Sequence, residues 1–390
     1  MPQKSPHPGD SEVVVPFRDL RRLHGIGAES SRAALLTALD SADFARPNRL
    51  IREFEERYAE FCGVRHVIAT ASGSSALLLA YLTLGVGPGD NIVTVPNTFV
   101  ATAEAALLLG AEVRLADIDP ATHTVDESAA LDLLTPRTKA VVPLHTYGRL
   151  AGVDGLADAC RERGIALVEE ACHAHGAVRG GRSAGSFGDC AVYSFGPTKT
   201  FAGMGEGGAV VTDDDELADR LRAMNSHGLE GSLHTSLGLS FRMHPMEAAY
   251  LTARLELLPG MLSRRREIAA RYNEAFSPFG VVHNTDVPDL AEHGLYVYVI
   301  DVPDRESFCR RLTSAGVGWD IHYRAALHQQ PAHRQRFRSS TLPACEGRMR
   351  EIVSLPMIAG LTEREVRRVV DVVTDALGEV TATAPERAGV

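Results

Sequence analysis

A single lysine, Lys199, stands in a turn of glycines and small residues, SFGPTKTFAGMGEGG (194–208), between two runs that read as buried strands, CAVYSF (190–195) and GAVVTD (208–213). Burying a free ammonium is costly. Lys199 is therefore either a surface lysine with its stem laid along apolar neighbours or one whose amine is tied up chemically. A Schiff base needs the neutral amine and a desolvated pocket, and small neighbours let a flat molecule approach the backbone. VEEACHAHGA (168–177) ends another apolar run with two carboxylates and two histidines. In a regular strand Glu169 and Glu170 face opposite sides. One of them then faces the ligand side at the strand's C-terminal end, where open α/β sheets place their ligands.

ATASGSSALLLA (69–80) reads as strand, small-residue turn and helix. Gly73, Ser74 and Ser75 stand at the helix N-terminus, where backbone N–H groups and hydroxyls can hold a phosphate; a serine there also serves as an ordinary N-cap. Phe99 lies just past a further strand end, where core packing is its ordinary role. The pair His173 and His175 has metal-ligand spacing, but no further ligand is in view and no metal is expected. GMGEGG (203–208) matches the dinucleotide pattern by letter, yet it precedes a strand instead of following one. Lysine, acid, aromatic ring and phosphate cradle together are what pyridoxal phosphate requires. On that reading Lys199 is not a buried free charge but is bonded to a cofactor.

The elements that must position these residues alternate between strand and helix. Strands are predicted at 66–71, 91–96, 112–118, 139–145 and 165–171, with helices at 75–84, 101–109 and 155–163 between them. Pro47 sits where an earlier helix can begin. The strands are nearly continuous apolar runs, which suits a parallel sheet covered on both faces. Residues 244–277 read as a long helical connection interrupted at Pro259–Gly260. Strands are then predicted at 295–302 and 317–323 before a last amphipathic helix. The expected organisation is a disordered tail (1–16), a large α/β domain (17–258) and a smaller α+β domain (259–390).

The 390 residues carry a net charge of −10, spread along the chain, which argues against nucleic acid or an anionic membrane as partner. Six scattered cysteines with no CxxC pair fit reduced thiols and a cytoplasmic setting better than a disulfide framework. The most apolar stretch, ALLLAYLTLGV from Ala76, is too short to span a bilayer.

From about Leu50 to Leu377 the chain resembles the DegT/DnrJ/StrS-type sugar aminotransferases. The resemblance rests on SGSSAL, VPNTFVATA, VPLHTYG, VEEACHAHGA, GSFGDCAVYSFGPTKTFAGMGEGG, LSFRMHPMEAA, HYRAALH and SLPMIAGLT. It implies the three-layer α/β/α large domain of PLP fold type I with a mostly parallel sheet, plus a smaller C-terminal α+β domain. It also implies roles. Lys199 would hold the Schiff base and move the proton. Glu170 would pair with the pyridine nitrogen, His173 would touch the ring hydroxyl and Phe99 would stack on the ring. Gly73, Ser74 and Ser194 would bind the phosphate. The family is dimeric with shared sites, and Ser240 would reach the neighbour's phosphate. His322, Tyr323 and His328 would face the substrate.

Two positions depart from the family pattern: Glu170 stands for an aspartate, and Ser240 for an asparagine. The implied activity is amino transfer from L-glutamate or L-glutamine to a keto group of a nucleotide-linked sugar or a cyclitol, as in antibiotic pathways. The alternatives are a dehydratase-like PLP reaction, for which related enzymes replace the lysine by histidine, and a non-catalytic regulator that keeps the fold.

Overall fold

The computed structural model describes residues 15–45, 48–337 and 340–383. Pro47 lies outside the described residues, as does most of the expected tail. The last two tail positions are held: Val15 is fully buried, and its N–H donates to the Gly316 carbonyl at 2.9 Å.

Seven strands make the central sheet: β1 (His66–Thr70), β2 (Asn91–Thr94), β3 (Glu112–Leu115), β4 (Thr138–Val142), β5 (Ala166–Glu170), β8 (Cys190–Ser194) and β9 (Gly208–Thr212). Between β5 and β8 lies a small hairpin of β6 (Val178–Arg179) and β7 (Arg182–Ser183). The order is β1-β9-β8-β5-β4-β2-β3, and β9 alone runs antiparallel to its neighbours. All seven sheet strands coincide with the apolar runs, β4 starting one residue earlier than its run and each ending one to three residues sooner. The reason for those runs is visible in β1. Ile68 packs into a core that includes the helix Gly73–Thr83, while Val67 and Ala69 on the other face pack with the helix Arg49–Cys62. Both faces are covered, so neither alternate set of residues needs to be polar.

A second core gathers β12 (Tyr298–Asp301) and β13 (Ile352–Leu355), an antiparallel pair, with the helices Arg305–Ser314 and Glu363–Thr383. Another short hairpin, β10 (Leu229–Glu230) and β11 (Leu233–His234), stands on the surface after β9. The expected strand at 317–323 does not form. Val317 and Asp320 each make one isolated bridge, to Val15 and Ser354, so the apolar–polar alternation there serves two different partners. Pro259 does not interrupt the helical connection. The break falls at Glu256–Leu257, between the helices Pro245–Leu255 and Leu258–Phe276, and Pro259 sits in the first turn of the second, where its missing N–H costs nothing.

Glu169 and Glu170 close β5 on opposite faces. Glu169 is fully buried and wholly engaged. Its Oε2 lies 2.8 Å from His145 Nε2 and accepts the Gly185 N–H at 2.8 Å, and its Oε1 accepts the Phe187 and Gly188 N–H groups, both at 2.7 Å. Burial alone would raise this carboxyl, but the His145 contact and the backbone donors outweigh it and hold the group below the ordinary carboxylate range. A charge so held contributes stability above that range and loses it as pH falls through the depressed folded-state value. Glu169→Gln is expected to lower stability at pH 7 by about 3 kcal/mol. The gap to wild type should narrow below the ordinary glutamate range, as read by denaturant unfolding at several pH values. An equal gap at all pH values would show that shape, not charge, holds the turn at 185–188.

Candidate active site

The C-terminal ends of β5 and β8 and the turn after β8 converge on one cleft. Lys199 is half-buried, and its backbone N–H closes the turn onto the Gly196 carbonyl at 2.9 Å. Its Nζ stands 4.6 Å from the centre of the Tyr296 ring and pairs with no carboxylate among the described residues. Tyr296 stacks on His173, with ring centres 4.4 Å apart and planes 13° off parallel. His173 Nε2 lies 3.3 Å from the Tyr323 hydroxyl, while its Nδ1 is buried without a partner. Burial, then the charge of Lys199, pushes His173 far below the ordinary histidine range, so it is neutral at physiological pH.

Glu170 is also buried, but only one of its oxygens is used by a backbone donor: Oε1 accepts the Cys172 N–H at 2.8 Å. Oε2 has no nitrogen or oxygen partner among the described residues, in contrast to the saturated Glu169. The second histidine of the pair is structural. His175 Nε2 donates to the Ser194 carbonyl at 2.9 Å, Nδ1 accepts from the Tyr58 hydroxyl at 2.8 Å, and burial pushes the ring down to about 3. Both nitrogens are thus committed to protein partners.

The small-residue turn at 72–75 lies against β8 and β9. The cap of the helix Gly73–Thr83 is Ser72, which exchanges hydrogen bonds with Ser75 in a capping box. Ser75 is therefore occupied, while Gly73 and exposed Ser74 begin the helix. A Cβ on Gly73 would stand 2.7 Å from Ser194 Cβ, so these two residues line one notch. A Cβ on Gly208 would come within 2.4 Å of the Ser72 carbonyl group; only glycine lets β9 approach this closely. Phe99 is 54% exposed, unusual for a phenylalanine with a packing role, and its ring lies 6.3 Å from that of Tyr323.

Of the residues expected near the substrate, Tyr323 and His322 join the cluster. His322 Nδ1 lies 2.9 Å from the Ser354 hydroxyl, and its backbone carbonyl accepts from the Tyr147 hydroxyl. His328 is turned to Glu346, 3.1 Å away. Ser240 is exposed on the segment after the β10–β11 hairpin, where its hydroxyl accepts from Arg242. Sequence reasoning missed Arg18 and Tyr296. Arg18 Nη2 donates to the Tyr296 hydroxyl at 3.1 Å and to His322 Nε2 at 2.8 Å. Burial would raise the Tyr296 phenol, but the Lys199 and Arg18 cations outweigh it and bring the phenol below its ordinary value.

The arrangement offers an amine without a counter-ion, a buried acid with an open oxygen, a neutral imidazole and a notch at a helix start. Comparison with known proteins identifies the family of the chain as a whole. The model of the DegT/DnrJ/EryC1/StrS aminotransferase family matches residues 26–374. The chain is 34% identical over 360 residues to the dTDP-3-amino-3,4,6-trideoxy-alpha-D-glucose transaminase of Micromonospora megalomicea subsp. nigra, covering 90% of this chain and 96% of that one. DesV of S. venezuelae, solved in complex with a ketimine intermediate, superposes with a TM-score of 0.88 at 31% identity, over 96% of this chain and 99% of that one. NtdA from Bacillus subtilis, solved with bound cofactor PMP, gives a TM-score of 0.86 at 26% identity, over 95% and 87% of the two chains. With its sheet, its lysine turn and the blocks around them all within the matched span, the chain belongs to the DegT/DnrJ/EryC1/StrS aminotransferase family.

Proposed function

We propose that this aminotransferase uses pyridoxal phosphate to move the amino group of L-glutamate or L-glutamine to a keto group of a nucleotide-linked sugar or a cyclitol. The observation that carries the reading is the half-buried Lys199 amine, which has no carboxylate partner and lies beside His173 and Tyr296 at the sheet's C-terminal edge. The residues fit the cofactor. Gly73 and Ser194 line a notch at a helix start suited to a phosphate. The buried, unpartnered His173 Nδ1 suits a polar ring substituent, and Glu170 Oε2 is free to meet a protonated ring nitrogen. Phe99 offers an exposed ring for stacking, and Ser74 an exposed hydroxyl beside the notch.

When bound, the cofactor supplies an aldehyde for amines and a ring that takes up the electron pair left when the donor's Cα–H bond breaks. The rest falls to the chain. Lys199 would hold the cofactor, and its Nζ, once displaced by the donor amine, would take the proton from the donor's α-carbon. In the second half-reaction Nζ delivers a proton to the former keto carbon of the acceptor. Glu170 would pair with the ring nitrogen and so help the ring take up electrons. It is one methylene longer than the family's aspartate, and its Oε1 is held by the Cys172 N–H at 2.8 Å. His173, kept neutral by burial, orients the ring without adding charge. Tyr323 and His322 stand beside Tyr296 and His173, where a substrate would approach Lys199.

The homodimer belongs to the same proposal. Leu237 is 91% exposed and Leu233 70%, on the segment that leads to Ser240. An apolar surface of this kind is suited to a partner chain, and Ser240 would then reach the partner's phosphate site. The six cysteines are unpaired and buried, which supports a cytoplasmic setting. No helix among the described residues is long and apolar enough to cross a membrane.

Adding L-glutamate to the purified holoenzyme should bleach the lysine-linked chromophore, and a panel of keto sugars and cyclitol ketones should identify the acceptor that restores it. Lys199→Ala should abolish turnover, and borohydride reduction with peptide mapping should place the label on Lys199; a label on another lysine would overturn the assignment. Glu170→Gln should slow the first half-reaction by about 10²-fold, on the order of 3 kcal/mol. Single-turnover kinetics that find Glu170→Gln as fast as wild type would remove the acid from the mechanism. The protein should also sediment as a dimer or a multiple of one, and a fully active monomer would contradict the role given to Ser240.

A further inference from the structure

Arg18 has no place in the chemistry described so far, yet the chain holds it firmly. The segment around it is pinned at both ends. On one side Val15 exchanges backbone hydrogen bonds with Gly316 and Gly318 at 2.9 and 2.8 Å. On the other, Arg254 donates to the Leu23 and Ile26 carbonyls at 3.0 and 2.8 Å, and His24 lies 3.1 Å from the Pro197 carbonyl, two residues before Lys199. Between these anchors the Arg18 guanidinium is half-buried, 5.8 Å from the centre of the same Tyr296 ring on which Lys199 stands.

The hydrogen bonds of Arg18 go to neutral groups only. Nη2 donates to the Tyr296 hydroxyl and to His322 Nε2. His322 must accept there, so it carries its proton on Nδ1, toward Ser354. A guanidinium has five N–H donors. Those on Nη1 and Nε have no protein partner, and no carboxylate pairs with Arg18 among the described residues. Two cations therefore share one aromatic ring with no anion between them. Lys199 loses its charge when it bonds to the cofactor; Arg18 cannot. The donors left over, two on Nη1 and one on Nε, can each take a carboxylate oxygen in a charge-assisted hydrogen bond.

We propose that Arg18 binds the α-carboxylate of the amino-acid donor. This rests on the aminotransferase reading above. The donor's carboxylate is two bonds from the nitrogen that must displace Lys199, so its receptor has to lie beside Lys199, as Arg18 does. The diphosphate of a nucleotide-linked sugar is separated from its keto carbon by the sugar ring and would be read farther out.

The test uses the holoenzyme and rapid mixing. Arg18→Gln should raise the apparent dissociation constant for L-glutamate about 30-fold, as loss of charge-assisted hydrogen bonds predicts, while Arg18→Lys recovers part of that loss. The penalty should be the same with L-glutamine, which lacks the side-chain carboxylate. The half-reaction with the keto acceptor should change less than threefold. Calorimetry with acetate, a carboxylate that cannot react, should detect weaker binding to Arg18→Gln holoenzyme than to wild type. A penalty seen with glutamate but not glutamine would assign Arg18 to the side-chain carboxylate and overturn the proposal. So would a penalty confined to the acceptor, or unchanged donor affinity in a variant whose melting temperature has fallen, which would make Arg18 a strut. Failure of wild-type holoenzyme to react with any amino acid would instead overturn the aminotransferase reading, before any variant is made.

Discussion

Two adjacent carboxylates at the end of a fully buried strand are the constraint on which this site is built. Neither can be left uncompensated, because an isolated ionised carboxylate in a dry interior is far too costly. The chain resolves the two in opposite ways. Glu169 is surrounded by His145 and three backbone donors, all from the protein. Glu170 has one backbone donor and an open oxygen. Saturating the first fixes the register of β5, because slipping by one residue would exchange the two faces. The second is thereby aimed at the cleft. The turn at 185–188 is thus part of the active site's support although it touches none of its residues.

The same economy of charge governs the histidines. His173, His175 and His322 all lie near Lys199, and all are held well below the ordinary histidine range, first by burial. The cleft therefore contains hydrogen-bonding imidazoles that add no positive charge. Its charge balance is left to Glu170, Lys199 and Arg18, together with whatever anions the ligands bring.

Much of this was legible in the sequence, for physical reasons. The seven sheet strands read clearly because a doubly covered parallel sheet demands uninterrupted apolar runs. The lysine turn read clearly because glycines and small residues around a lone cation have few other uses. The strand Ile352–Leu355 was harder: four residues long, followed by Pro356, it resembles a loop until Tyr298–Asp301 pairs with it. Residues 317–323 failed in the opposite direction, since their alternation reflects contacts with two separate segments. Tyr296 and Arg18 carried no signal of their own. Tyr296 sits in an apolar run that reads as core, and Arg18 lies in a polar stretch whose meaning comes only from tertiary contacts with residues about 280 and 300 positions away. His328 shows the limit of reading a motif as a unit, because its neighbours His322 and Tyr323 enter the cleft while it pairs with Glu346.

The pinned segment before residue 27 has a mechanical meaning as well. It is hydrogen-bonded to Gly316 and Gly318, beside the second core, and through His24 to the loop that carries Lys199. It thus links the Gly316–Gly318 loop to the lysine turn, in addition to the packing of Val297, Val299 and Ile352 into the sheet's own core. Any shift of the Gly316–Gly318 loop relative to the sheet must stretch this segment, slide it, or pull on the lysine turn. Moving that loop and disturbing the turn of Lys199 are then one motion rather than two, and the segment from Val15 to His24 sets how far that motion can go.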